Sequence, residues 1–92
     1  MILSFADKDT ELLANRIRVK KFESIERVAL RKLVQLDVAK SLSDLAIPPG
    51  NRLERLQGDR FGQCSIRIND RYRICFRWTD AGPKEIEIVN YH

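Results

Sequence analysis

Histidine is almost missing from this sequence: one residue, His92, is the last in the chain. A Ser-His-Asp relay therefore has no internal imidazole to build on. Cysteine is scarce too, with two residues. Cys64 and Cys75 form no Cys-x-x-Cys pair, so with a single histidine no metal site is expected. No apolar run approaches the roughly 18 residues of a membrane span. The opening residues, Met1 to Asp7, have no basic stretch before their apolar ones and meet an acid early, unlike a signal peptide. A cytoplasmic location is expected. Internal repeats and low-complexity tracts are absent. Gly58 and Gly62 lack the spacing and the lysine of a phosphate-binding P-loop. No cofactor is expected.

Lysine is missing from one stretch in particular. Between Arg52 and Arg77 lie seven arginines (Arg52, Arg55, Arg60, Arg67, Arg71, Arg73 and Arg77) and no lysine. Arginine presents a planar fork of donors that matches a phosphate, where lysine offers a point charge. The whole chain carries a net charge of +4 and a pI near 9.4, compatible with a polyanionic partner. Ninety-two residues, 43% of them hydrophobic, suit one domain over 1–92 with one modest core.

The arginine-rich stretch also carries the clearest structural pattern. Cys64, Ile66 and Ile68 alternate with Gln63, Ser65, Arg67 and Asn69. Tyr72, Ile74, Phe76 and Trp78 alternate with Arg71, Arg73, Cys75 and Arg77. Period-two alternation marks half-buried strands. Paired strands must present the same face, which selects a three-residue turn at Asn69-Asp70-Arg71. Ile68 then pairs with Tyr72, Ile66 with Ile74, and Cys64 with Phe76. On the polar face Arg67 falls opposite Arg73. Like charges across a ladder cost from a few tenths to about 1 kcal/mol. The pair therefore suggests an anion that uses both guanidiniums, or else splaying into solvent and neutralisation by Glu85 or Glu87. Cys64 and Cys75 point to opposite sides and should not bond.

The rest of the chain reads as follows. Ile2 to Phe5 suggests a first strand. Asp7 suits an N-cap for a helix from Lys8 to Arg16 or Val19, with Leu13 and Ile17 inward. The basic run from Arg16 to Lys21 reads as a solvated helix end or loop. Ser24 suits a second cap, before a helix from Ile25 to Ala39 with Ala29, Leu33 and Leu36 in its stripe and Val28, Leu30 and Val34 widening it. Ser43 suits a cap for a short turn. Pro48 and Pro49 stop the helical half. A strand at Arg52–Leu56, the hairpin, a turn at Ala81-Gly82-Pro83 and a strand from Glu85 to Tyr91 follow, with Ile86 and Ile88 inward. The class is α+β: a mostly antiparallel sheet with two N-terminal helices on one face and an arginine-rich opposite face.

The chemistry open to such a face is RNA cleavage by the RNA's own 2′-hydroxyl. It needs a base, an acid and cations for the charged transition state. Glu54, Gln57, Tyr91 and His92 are candidate neighbours of the arginines. His92 alone has an unperturbed pKa near neutrality.

The residues also resemble a known family. Met1-Ile-x-Ser-Phe, the Arg-Leu-x-x-Leu-x-Gly-Asp-Arg segment from Arg52 to Arg60, and Gly62-x-x-Ser65-Ile66 are similar in order and spacing to the HigB branch of the RelE-type bacterial toxins. Asn69-Asp70-Arg71-Tyr72-Arg73-Ile74-x-Phe76 and the final Tyr91-His92 extend the resemblance over nearly the whole chain. It implies a compact RelE-like fold and a metal-independent, ribosome-dependent endoribonuclease. Such toxins cut mRNA in the ribosomal decoding site and are neutralised by a helix-turn-helix antitoxin, HigA. By position, Arg73 would stabilise the scissile phosphate, and Tyr91 and His92 would orient RNA or move protons. Glu54 could serve as base where many relatives carry His. Gln57 stands where many carry Lys, and Asn90 where many carry an acid. Arg60, Arg67 and Arg71 are added as RNA-binding residues, Arg60 and Arg67 from the face argument. Two other functions share the arginine face: an RNA- or ribosome-binding domain that blocks translation without cutting, and a module that pairs its arginines with an acidic protein.

Overall fold

The computed structural model describes Met1 to Tyr91. Helix α1 spans Lys8–Ala14 and α2 spans Glu26–Val38. Strands β1 (Glu54–Arg55), β2 (Cys64–Arg67), β3 (Tyr72–Thr79) and β4 (Gly82–Asn90) form an antiparallel sheet in sequence order. The α+β architecture is therefore the expected one.

The hairpin register also matches. Cys64 pairs with Phe76, Ile66 with Ile74 and Arg67 with Arg73, and the Ile68 N–H donates to the Tyr72 carbonyl at 2.9 Å. The Asn69 side chain closes the turn by accepting from the N–H groups of Arg71 and Tyr72. This Asx geometry substitutes for backbone partners and fixes the register. Ile66, Ile74, Phe76 and Ile86 are fully buried on one face. Leu13, Phe22, Ile25, Ala29, Leu33, Leu36 and Leu45 complete that core from the helical half. The Phe22 and Tyr72 rings meet edge to face, 6.3 Å between centroids.

Several local expectations need correction. Asp7 does cap α1, accepting from the Thr10 N–H at 3.2 Å, but the helix stops at Ala14. Arg16 turns the chain with a left-handed φ of 63°, so Ile17 leaves the helical face and lies exposed. Ser24 caps nothing. It lies within a 3-10 turn, Lys20–Ile25, that leads straight into α2. Val34 is exposed, which narrows the α2 stripe. Ser41, not Ser43, begins the turn Leu42–Ala46, in a capping box with Asp44.

Ile2 to Phe5 makes only a parallel bridge, Phe5 to Ile86, supported by backbone bonds from Leu3 to Pro83, from Ala6 to Ile86 and from Ile86 to Ser4. Strand β1 shrinks to two residues, because Arg52 takes a left-handed φ of 46° before it and the turn Gly58–Arg60 follows soon after. Strand β4 begins at Gly82 rather than Glu85. A bulge restores the inward phase of Ile86: Glu85 has a φ of 55° and the register shifts between Cys75 and Arg77.

Candidate active site on the polar face of the sheet

Strand alternation sets this site. Glu54 pairs with Ser65, Ser65 with Cys75, and Cys75 with Glu87, so a row of polar residues crosses all four strands on the face away from the helices. One step along, Arg67 pairs with Arg73 and Arg73 with Val89. The face is not the open arginine surface that alternation alone suggests. Ser65 and Cys75 are fully buried, and Arg73 is only 8% exposed.

Arg73 is held on three sides. Its Nε donates to Ser65 Oγ at 2.8 Å, its Nη2 donates to the Arg52 carbonyl at 2.6 Å, and Glu54 Oε1 lies 3.5 Å from Nη2. The Glu54 side chain is 57% exposed, so this carboxylate can be exchanged for an incoming anion at modest cost. The two neutral acceptors fix the guanidinium without neutralising it. The Tyr91 ring sits 6.0 Å from Arg73 Cζ, and the Tyr91 N–H donates to the Arg71 carbonyl at 2.7 Å. Burial pushes the Tyr91 phenol above its ordinary value. Cys75 adds to that, and the Arg73 charge and Ser65 pull it partly back. The phenol is a proton donor throughout the neutral range. Burial likewise pushes the Cys75 thiol up, so it is an uncharged packing group rather than a nucleophile.

The other predicted residues divide. Arg67 faces Arg73 across the ladder and pairs with Asp70, an acid from its own turn rather than Glu85 or Glu87. Arg60 reaches the far end of the polar row, donating to Gln63 at 3.0 Å and Glu87 at 3.2 Å. Arg77 pairs with Glu85 at 3.2 Å. Arg71 is exposed at the hairpin turn, and Gln57 is exposed where its carbonyl accepts from the Arg60 N–H. His92 lies outside the described residues. The structure thus brings Arg73, Glu54, Tyr91 and Arg67 together, sets Arg60 at the Glu87 end of the same face, within electrostatic reach of Cys75 and Tyr91, and leaves Gln57 on the flank.

As parts of the site, sequence reasoning passed over Ser65, Cys75, Glu87 (weighed only as a counter-ion for Arg67 and Arg73) and the Arg52 carbonyl. The first three were legible in outline, since period two places them on the arginine face. A backbone carbonyl in a left-handed turn leaves no sequence signal. A cavity of about 450 Å³ borders Glu54, lined also by Leu42, Ser43, Ala46, Leu53, Arg55 and Cys64. It lies toward the core side of the sheet edge, and Arg73 does not line it. On the polar face, Glu54 and Tyr91 reach solvent.

Comparison with known proteins finds relatives over nearly the whole chain. A family model described as the RelE-like toxin of type II toxin–antitoxin system HigB matches residues 4–92. Toxin HigB-1 of Vibrio cholerae serotype O1 is 46% identical over 83 residues, covering 88% of this chain and 87% of that protein. An uncharacterized protein of Haemophilus influenzae is 33% identical over 55 residues, covering 60% of this chain and 54% of its own. The match over nearly its whole length shows that this chain belongs to the HigB family of RelE-like toxins of type II toxin–antitoxin systems.

Proposed function

We propose that this toxin is a metal-independent endoribonuclease that cuts mRNA in the decoding site of the translating ribosome. The observation that carries the reading is Arg73: a nearly buried guanidinium, held by neutral acceptors, beside one exchangeable carboxylate. An RNA phosphate displaces Glu54 from the guanidinium and leaves that carboxylate free within reach of the adjacent ribose. Glu54 then takes the 2′-hydroxyl proton. The 2′ oxygen attacks phosphorus, and the bond from phosphorus to the 5′ oxygen breaks. Tyr91 or His92 returns a proton to the leaving oxygen. The products are a 2′,3′-cyclic phosphate and a 5′-hydroxyl end. Arg73 stabilises the charge that builds on the phosphoryl oxygens, the contribution that is usually largest. Arg67 and Arg71 hold neighbouring phosphates, while Arg60 and Gln57 extend the contact along the strand.

Only a few groups surround the scissile bond, which fits a dependence on the ribosome to position the mRNA. The toxin acts in the cytoplasm, and its partner is a HigA-like helix-turn-helix antitoxin. The test is a cell-free translation reaction given the purified protein, with mRNA 5′ ends mapped and a ribosome-free reaction beside it. New ends inside translated codons, absent without ribosomes, support the reading. Halted translation on intact mRNA favours a binding-only inhibitor instead.

A further inference from the structure

Next to Arg52 in the chain lies a second polar cluster that the alternation of the strands does not contain. Asn51 is fully buried. Its side-chain Nδ2 donates to Gln35 Oε1 at 3.1 Å and to the Leu45 carbonyl at 3.0 Å. Its Oδ1 accepts from Lys32 Nζ, and Lys32 is itself only 7% exposed. Lys32 and Gln35 belong to α2, and Leu45 to the capped turn Leu42–Ala46. One amide therefore ties three separate segments together at the residue before Arg52.

Arg52 needs such an anchor. It stands in the left-handed region, with φ 46° and ψ 56°, where a non-glycine residue is held only if its surroundings over-determine it. That conformation accompanies the 2.6 Å bond from Arg73 to the Arg52 carbonyl. A buried lysine and asparagine are costly components for simple packing, because each must keep its partners. Here the buried amide directly precedes the residue whose carbonyl accepts from Arg73.

We infer that Lys32 and Asn51 form a positioning bracket that holds the Arg52 carbonyl against Arg73 and so orients the guanidinium toward the RNA phosphate. The orienting role rests on the nuclease reading. The bracket itself does not, and the two can be tested apart. Asn51→Ala removes the amide. Cleavage on programmed ribosomes should fall roughly tenfold to a hundredfold, the scale of a small misplacement at a reacting centre. Because the effect passes through the guanidinium, Asn51→Ala should cost far less when made in an Arg73→Lys background than in the wild type. Contacting or coupled residues depart from additivity in this way, whereas independent structural damage adds. The second readout needs no activity. Side-chain NMR should show slow exchange of the Arg73 Nη2 protons in the wild type, and loss of that protection in folded Asn51→Ala. Should Asn51→Ala fail to fold, Lys32→Met, which keeps the apolar stem, takes its place in both measurements. Additive losses in the cycle, or unchanged protection of the Arg73 protons, overturn the bracket. Unchanged cleavage in Arg73→Lys alone overturns the nuclease site instead, and leaves the proton exchange to decide the bracket.

Discussion

At the scale of single residues, the buried lysine of α2 has a measurable signature. Burial lowers the Lys32 pKa from its ordinary value, and the charges of Arg31 and Arg67 lower it further. The folded protein therefore binds fewer protons at this position than the unfolded chain over the pH range just below 10.5. Stability rises with pH wherever the unfolded state holds more protons. The cost of burying the charge is thus fully present below the folded pKa and is relieved as pH climbs toward 10.5. Urea melts of the wild type and Lys32→Met at several alkaline pH values isolate this, because groups common to both cancel. The wild type should gain on the variant as pH rises. Arg73 was legible in the sequence as one of several arginines on a polar face, but its burial was not. Alternation reports which face a side chain leaves from, and here that face is covered in part by the side chains of its own strands. Lys32 and Asn51 were illegible, since α2 presents Lys32 beside a true apolar stripe and Asn51 follows a proline break read only as a turn.

Among elements, the join between α1 and β4 carries a side-chain hydrogen bond that a small change removes. Thr10 is fully buried on α1, and its Oγ1 accepts from the Ile88 N–H at 3.0 Å. Thr10→Val keeps the shape and removes the acceptor, which leaves a buried backbone donor unpaired. The expected loss is about 1–3 kcal/mol, read as a lower urea midpoint with an unchanged slope. The same join explains why the first and last strands were the hardest to place. Ile2 to Phe5 has the composition of a strand, but among the described residues its one strand partner is β4, bridged at a single residue, and its Ile2 N–H donates instead to Asp37 of α2 at 2.8 Å. Gly82, with a φ of 135°, lets β4 start early because the Met1 backbone packs where a Cβ would stand. Such close approaches between distant segments are set by the tertiary structure. The hairpin was legible in full because its two apolar faces allow only one register, and the Asn69 turn fits it.

Across the whole molecule, charge and architecture point the same way. The sheet lays its apolar face on the helices and turns a basic, partly self-neutralised face outward, with Asp70, Glu54, Glu87 and Glu85 pairing Arg67, Arg73, Arg60 and Arg77. A phosphate chain must compete with those carboxylates, so affinity for RNA alone should be modest and salt-sensitive. If Arg67, Arg71 and Arg73 each take a phosphate, log K for a short single-stranded RNA should fall against log salt with a slope of about −2. Arg67→Gln should make the slope shallower by about 0.7, measured by fluorescence anisotropy. The central claim is that Arg73 cuts rather than merely binds. Its most direct test is the translation reaction with Arg73→Ala, used at a temperature where circular dichroism shows the variant folded. Loss of the new mRNA ends, with the protein still bound to ribosomes, is the predicted result. Undiminished cleavage by folded Arg73→Ala would contradict it.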